Sequence, residues 1–144
     1  MSEAEAQIQA LVEERAEAIR TKDSARAMST LADEATAFEL APPLVLGPAE
    51  VHDLAALEAW FAGWEGPLEV EIRDLEVATS GAVGWCRSLN RLAGTRADGR
   101  EVSFWMRSTL GLRRIDGVWK IAHGHTSVPF HMDGSFRAAT DLTP

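Results

Sequence analysis

The chain has 144 residues, of which 46% are hydrophobic and 25% are charged, and this composition is typical of one globular domain and excludes a disordered chain. Its formal net charge of −8 repels nucleic acid and anionic lipid, so we expect neither as a partner. The single cysteine, Cys86, excludes an internal disulfide and a cysteine-based zinc cluster. The sequence shows no signal-peptide pattern and no apolar run of about 20 residues, so we expect a cytoplasmic protein.

Three helices are predicted in the first half of the chain. Apolar residues at helical spacing predict the first helix over residues 3–19. Asp23 or Ser24 can cap a second, shorter helix whose buried face extends to Leu31. A third helix is predicted to begin near Asp53 and to include Trp64, with Gly66-Pro67 closing it.

Strands dominate the second half. Residues 36–41 alternate and predict a short strand that Pro42 ends, since proline cannot donate to a strand ladder. After Pro67, four antiparallel strands are predicted over 68–79, with a bulge near Arg73, and over 83–95, 102–115 and 118–128. Helices followed by a long meander predict an α+β fold with helices over one face of a curved sheet. Residues 129–144 are predicted to form a tail of the single domain.

The turns predict which side chains share a sheet face. Asp98-Gly99 and Asp116-Gly117 are strong hairpin signals, and two-residue turns there would place Asn90 opposite Arg107 and His125 opposite Ser108. A bulge would exchange the faces locally. The face predicted to pack under the helices carries Trp85, Leu89, Met106, Leu110, Leu112, Trp119, Ile121, His123 and His125. The opposite face carries Ser88, Asn90, Trp105, Arg107, Thr109, Ala122, Gly124 and Thr126.

Several segments resemble a known family. They are FELAPPL at 38–44, LEAWF at 57–61, SLNRL at 88–92, FWMR at 104–107 and WKIAHGHTSVPF at 119–130. With the order of elements, they resemble the SnoaL-like and ketosteroid isomerase-like branch of the nuclear transport factor 2-like superfamily, over essentially the whole chain. The resemblance implies a cone-shaped α+β fold with three N-terminal helices over a curved antiparallel sheet. It does not identify one reaction, because this fold hosts isomerases, dehydratases, hydrolases, cyclases and non-enzymatic binders.

One position departs from the pattern of that branch. The last motif there usually reads His-Glu-His, whereas this chain has Gly124 between its two histidines. In the predicted register Gly124 shares a face with Arg107, so Arg107 lacks a local counter-charge. Glu39 or Asp133 would then supply one, or Arg107 would bind an anion.

His123 and His125 are the predicted catalytic residues. They lie two positions apart on a strand, so both side chains point to the same face. In an apolar cavity they could act as general acid or base near neutral pH. The alternative is that one imidazole only binds a backbone carbonyl and fills the interior. No metal is expected, because two histidines supply half of a tetrahedral shell and no third ligand has a diagnostic spacing.

The remaining predicted site residues bind substrate. Asn90 and Arg107 could polarise a carbonyl or hold a carboxylate, or they could form a structural cross-strand pair. Aromatic and apolar residues suit a cavity wall as well as an ordinary core. The predicted substrate-binding set is Asn90, Arg107, Trp60, Trp64, Phe38 and Met106.

The sequence therefore predicts a cavity protein. It would bind a small, mostly apolar molecule bearing a carbonyl or carboxylate and would need no cofactor. Any reaction would be acid–base chemistry of the isomerase, dehydratase or cyclase type. The alternative is a non-catalytic association module in which Trp105 and Arg107 on the exposed sheet face hold a second copy in a homodimer.

Overall fold

The computed structural model describes all 144 residues and contains four helices and five strands. The helices are α1 (Glu3–Arg20), α2 (Ser24–Met28), α3 (Pro48–Val51) and α4 (Leu54–Ala62). The strands are β1 (Leu31–Phe38), β2 (Trp64–Ser80), β3 (Val83–Arg96), β4 (Glu101–Ile115) and β5 (Val118–Ser127). None of the helices has the length and apolar character that crossing a bilayer requires.

All five strands form one sheet in the order β1-β5-β4-β3-β2. The strands β2 to β5 are an antiparallel meander, and β1 joins its edge parallel to β5. The helices pack on one face of the sheet, which we call the concave face, and the opposite face is the convex face. This arrangement confirms the predicted α+β class, with helices over one face of a mostly antiparallel sheet.

The long helix α1 lies across the concave face. Its start is fixed by a capping box, in which the Ser2 hydroxyl accepts from the Glu5 N–H at 3.1 Å and the Glu5 carboxylate accepts from the Ser2 N–H. Ile8 and Val12 on its buried side belong to the main core. The other fully buried members of that core come from the sheet and are Cys86, Leu112, Trp119 and Ile121.

Several element boundaries differ from the prediction, and the short helix α3 was not predicted. The first strand spans Leu31–Phe38 rather than residues 36–41, so Leu31 belongs to the sheet and not to the second helix. The third helix ends at Ala62, and Trp64 is instead the first residue of β2. Trp64 remains buried there because it packs in the smaller core with Phe61 on α4. Tertiary packing rather than helical periodicity therefore explains the apolar pattern at these junctions.

The predicted register of the β3–β4 hairpin is wrong by one residue. The Arg96 N–H donates to the Arg100 carbonyl at 2.7 Å, so the connection is a loop of Ala97, Asp98 and Gly99. Gly99 adopts a φ of +88°, the left-handed conformation that ends such three-residue loops. Because strand side chains alternate, this single residue exchanges the faces of β3. Cys86, Ser88 and Asn90 face the helices, whereas Trp85 and Leu89 lie on the convex face.

The β4–β5 hairpin starts in the predicted register and then shifts. Ile115 pairs with Val118 and Leu112 with Ile121, but Gly111 pairs with His123, so Ala122 is an extra residue in β5. A bulge of this kind turns every later side chain to the other face. Trp119 and Ile121 therefore face the helices as predicted. Beyond the bulge the predicted faces are reversed, since Gly124 and Thr126 face the cavity and His123 and His125 face outward.

Ile8 is fully buried between α1 and the sheet, so we expect Ile8→Ala to lower the free energy of unfolding by about 2–5 kcal/mol. Leu44→Ala is the control, because Leu44 is 96% exposed and its truncation should change the free energy of unfolding by less than about 0.5 kcal/mol. Urea unfolding followed by tryptophan fluorescence measures both. Equal stability of the two variants would contradict the packing of α1 on the concave face.

Candidate functional site

A cavity of about 660 Å³ lies between the helices and the concave face of the sheet. Its wall is mostly apolar, with 20 hydrophobic residues among the 32 that line it. α1 contributes Val12, Ala16 and Ile19, and the sheet contributes Ile72 and Leu110. This is the size and character of a site for one small, largely apolar molecule.

Four polar side chains cross the concave face from the mouth inward, and we call them the polar row: Glu39, Thr126, Ser108 and Ser88. Thr126 pairs with Ser108 across β5 and β4, and Ser108 pairs with Ser88 across β4 and β3. Glu39 follows the end of β1, and its Oε2 accepts a hydrogen bond from the Thr126 hydroxyl at 3.3 Å. Along this line, hydroxyl and carboxylate groups can meet a polar ligand group, while Arg15, Glu50 and Asp53 line other parts of the wall.

Asn90 lies at the inner end of the polar row with its hydrogen-bond donors free. The Ser88 hydroxyl donates to Asn90 Oδ1 at 2.7 Å, which leaves the two N–H donors of Asn90 Nδ2 without a protein acceptor. Ser108, which is 7% exposed, makes no hydrogen bond through its side chain to another protein group. Both side chains line the cavity, so an oxygen atom of a ligand can accept a hydrogen bond from either of them.

Arg15 on α1 supplies a positive charge to the cavity wall. Its Nη1 donates to the Ala27 carbonyl at 3.0 Å and to the Thr30 hydroxyl at 3.1 Å, but it forms no ion pair with a carboxylate. Burial lowers the pKa of the Arg15 guanidinium, and the negative charge of Glu39 acts in the opposite direction. An anionic or carbonyl oxygen in the cavity would therefore stabilise the charged form of Arg15.

Three of the predicted substrate-binding residues line this cavity: Asn90, Met106 and Trp60. Trp64 does not, because it is 7% exposed and packs in the core beside Phe61. Phe38 is on the convex side, where it is 41% exposed. Arg107 is also there, and its Nε donates to the Ser127 hydroxyl at 3.1 Å. Asn90 and Arg107 consequently lie on opposite faces, so the expected pairing of these two side chains is wrong.

The two histidines form a cluster on the convex face. His123 Nδ1 and the Thr36 hydroxyl lie 2.8 Å apart and share a hydrogen bond. The Phe38 ring contacts both imidazoles edge-on, with centroid distances of 4.6 Å to His123 and 5.2 Å to His125. Neither histidine lines the cavity. Their predicted orientation into an apolar cavity is wrong because of the bulge at Ala122.

A second, more open groove of about 870 Å³ lies beside the cavity mouth. Phe38 and His125 line it together with residues 39–45 and Phe130 of the C-terminal segment. That segment folds back, since the Ala139 N–H donates to the Pro129 carbonyl at 2.7 Å and Ala139 is buried. No group of three or more histidine, cysteine or acidic side chains in the chain could hold a metal ion.

Sequence reasoning missed Arg15 and Ser108 and left Glu39 undecided. Arg15 occupies a helix position where an arginine normally faces solvent, and its sequence neighbours carry no signal of its placement. Ser108 was expected opposite His125, and the register shift instead places it beside Thr126. Glu39 was expected to point outward if Phe38 pointed inward; in the structure Phe38 is on the convex side, and Glu39, although exposed, is part of the cavity lining.

Comparisons with known proteins confirm the predicted nuclear transport factor 2-like fold. The family model of the SnoaL-like domain matches residues 8–131. A nuclear transport factor 2-like protein of unknown function from Pseudomonas putida is 31% identical, with a TM-score of 0.86 over 98% of this chain and 96% of that one. A ketosteroid isomerase-like protein from Erwinia carotovora is 22% identical, with a TM-score of 0.73 over 88% of this chain and 97% of that one.

A proposed dehydratase of the nuclear transport factor 2-like family from Streptomyces avermitilis is 18% identical, with a TM-score of 0.71 over 84% of this chain and 93% of that one. At this level of identity, this structure and the one from Erwinia are informative about the fold alone. A search of curated protein sequences gives no significant match.

Cys86 lies in the cavity floor, and burial raises the pKa of its thiol from an ordinary 9.0 to about 11. The unfolded thiol ionises first as the pH rises, so the stability due to the neutral buried thiol is present below pH 9 and is lost as the pH approaches 11. We expect this to cost about 1 kcal/mol by pH 10. Urea unfolding at pH 8, 9 and 10 should show the loss in the wild type and a smaller one in Cys86→Ala.

The chain suits this measurement, because it has no tyrosine and only two lysines to titrate in the same range. Parallel pH profiles for the wild type and Cys86→Ala would contradict the burial of the thiol.

Proposed function

Because the chain belongs to the SnoaL-like domain family, as its motifs predicted, we propose that it binds one small, mostly apolar molecule carrying a carbonyl or carboxylate oxygen. The observation that carries this proposal is the free amide of Asn90 inside a mostly apolar cavity. Both donors of Asn90 Nδ2 lack a protein acceptor, and the neighbouring Ser108 hydroxyl adds a third. Ligand oxygen atoms, such as the two of a carboxylate, are the groups that can accept from these donors.

The buried positive charge of Arg15 favours an oxygen-rich ligand group at its end of the cavity, and the carboxylates of Glu39, Glu50 and Asp53 line other parts of the wall. Arg15 forms no ion pair, whereas Arg91 binds Glu69 and Glu71. A carboxylate or a polarised carbonyl would therefore be stabilised by the positive charge of Arg15 in spite of the overall negative charge of the protein.

The expectation of a cytoplasmic protein stays a prediction.

The second part of the proposal is acid–base chemistry, with the Glu39 carboxylate as the group that accepts or donates the proton. Glu39 accepts a hydrogen bond from Thr126, lines the cavity and is exposed, so its carboxylate can reach both a ligand and water. The polar row crosses three strand spacings, about 14 Å, so Glu39 and Asn90 would meet different parts of one ligand. His123 and His125 have no step in this scheme, because their side chains lie on the other face.

We expect Asn90→Leu to weaken the binding of the probe 2-naphthoate about tenfold or more, because it removes the amide donors while keeping the side-chain volume. Isothermal titration calorimetry measures the Kd. His125→Ala is the matched control and should leave the Kd within about twofold, since His125 is exposed on the convex face. Tight binding by Asn90→Leu together with weak binding by His125→Ala would refute the assignment.

A second candidate function is association of two copies through the convex face, and one observation favours it. The helices pack on the concave side, and the convex face carries Phe38 and Trp85, which are 41% and 46% exposed. Trp105 lies on the same face beneath the Arg73 guanidinium, 4.8 Å from the ring centroid, and pairs with Arg91. Tryptophan and arginine are the residue types most enriched at interface hot spots.

If this face holds a homodimer, Trp105→Asp should convert it to a monomer, because a buried unpaired carboxylate at an interface is costly. Size-exclusion chromatography with light scattering measures the mass of each variant. Leu44→Asp is the control, since Leu44 lies on the exposed loop after β1 and its substitution should leave the mass unchanged. A monomeric wild type would refute association.

A further inference from the structure

The cavity floor has a notch next to the polar row. Ala37 of β1 pairs with Gly124 of β5, which in turn pairs with Leu110 of β4, so two of the smallest side chains lie side by side on the concave face. Residues two apart along a strand are about 7 Å apart on the same face. The notch formed by Ala37 and Gly124 therefore lies one step from Thr126 and the polar row.

The backbone does not require a glycine at position 124. Gly124 is not among the glycines with positive φ, and a Cβ built there would meet only Leu110 Cδ2 at 3.5 Å, an ordinary contact. Gly84 is different, because a Cβ there would lie 2.9 Å from Ile8 Cδ1. Since glycine weakens a strand interior, its presence at 124 has a cost that neither conformation nor packing explains. What the missing side chain provides is free volume in the cavity.

We infer that the notch is a specificity-determining subsite for a flat or branched apolar group carried next to the ligand oxygen. This inference rests on the proposed function, because it assumes that the oxygen lies on the polar row. It narrows the ligand class to aryl or alicyclic carboxylates and ketones, in preference to unbranched chains of the same charge. A side chain at 124 would fill the notch and exclude the wide group while leaving the polar row intact.

Two probes with the same charge test the inference: 2-naphthoate, whose ring adjoins the carboxylate, and octanoate, whose chain is thin. We expect Gly124→Val to weaken 2-naphthoate binding about tenfold and octanoate binding by less than about threefold, because overpacking penalises only the wide ligand. Gly124→Ala should weaken binding less than Gly124→Val does, again with a larger effect on 2-naphthoate than on octanoate. Calorimetry measures each Kd, and thermal unfolding verifies that each variant is folded.

Gly111→Val is the matched control. Gly111 lies on the neighbouring strand β4 but on the convex face, and a Cβ there would have its nearest contact at 3.9 Å, with His123 Cβ. This variant should bind both probes as the wild type does. A wild type that binds neither probe would overturn the proposed function and this inference with it. A wild type that binds both, with Gly124→Val and Gly124→Ala unchanged or weakened equally for both probes, would overturn the notch alone.

Discussion

The pairing register of β3, β4 and β5 determines which side chains reach the cavity. Two local features fix it, the three-residue loop that ends at Gly99 and the extra residue at Ala122 in β5. Each shifts the alternation of a strand by one residue, so each exchanges the two faces. Together they place Asn90 and Ser108 under the helices and both imidazoles outside. The chemistry available to the cavity follows from these two features more than from its apolar walls.

The space between the helices and the sheet is filled by side chains at one end and is open at the other. At one end Ile8, Trp119 and Leu112 are almost fully buried and hold α1 on the sheet. Toward the mouth the concave face carries small and polar side chains, and the space between helices and sheet stays open. The core at one end can offset the free-energy cost of polar groups left without partners at the other end. Burial of the apolar side chains contributes more free energy than those polar groups cost.

The sequence was sufficient for the fold class and most elements, because helical periodicity, the capping residues and the two Asp-Gly turns are local signals. The inward positions of Trp119, Ile121 and Met106 were also predictable from alternation. The residues that line the cavity were not predictable in the same way, since an Asp-Gly pair is compatible with loops of two or three residues. The bulge at Ala122 leaves no compositional mark. It lies where β5 pairs with both β4 and the sequence-distant β1, so it could be identified only once the sheet was assembled.

The central claim is that the bulge turns both imidazoles away from the cavity and onto Phe38. Nuclear Overhauser effects from the imidazole C–H protons of His123 and His125 test it most directly, because they report contacts within about 5 Å whatever the ligand is. Cross-peaks are expected from both imidazoles to the ring protons of Phe38, because the Phe38 ring centroid lies 4.6 Å from that of His123 and 5.2 Å from that of His125. Cross-peaks from the imidazoles to the methyl groups of Val12 and Leu110, with none to Phe38, would contradict it.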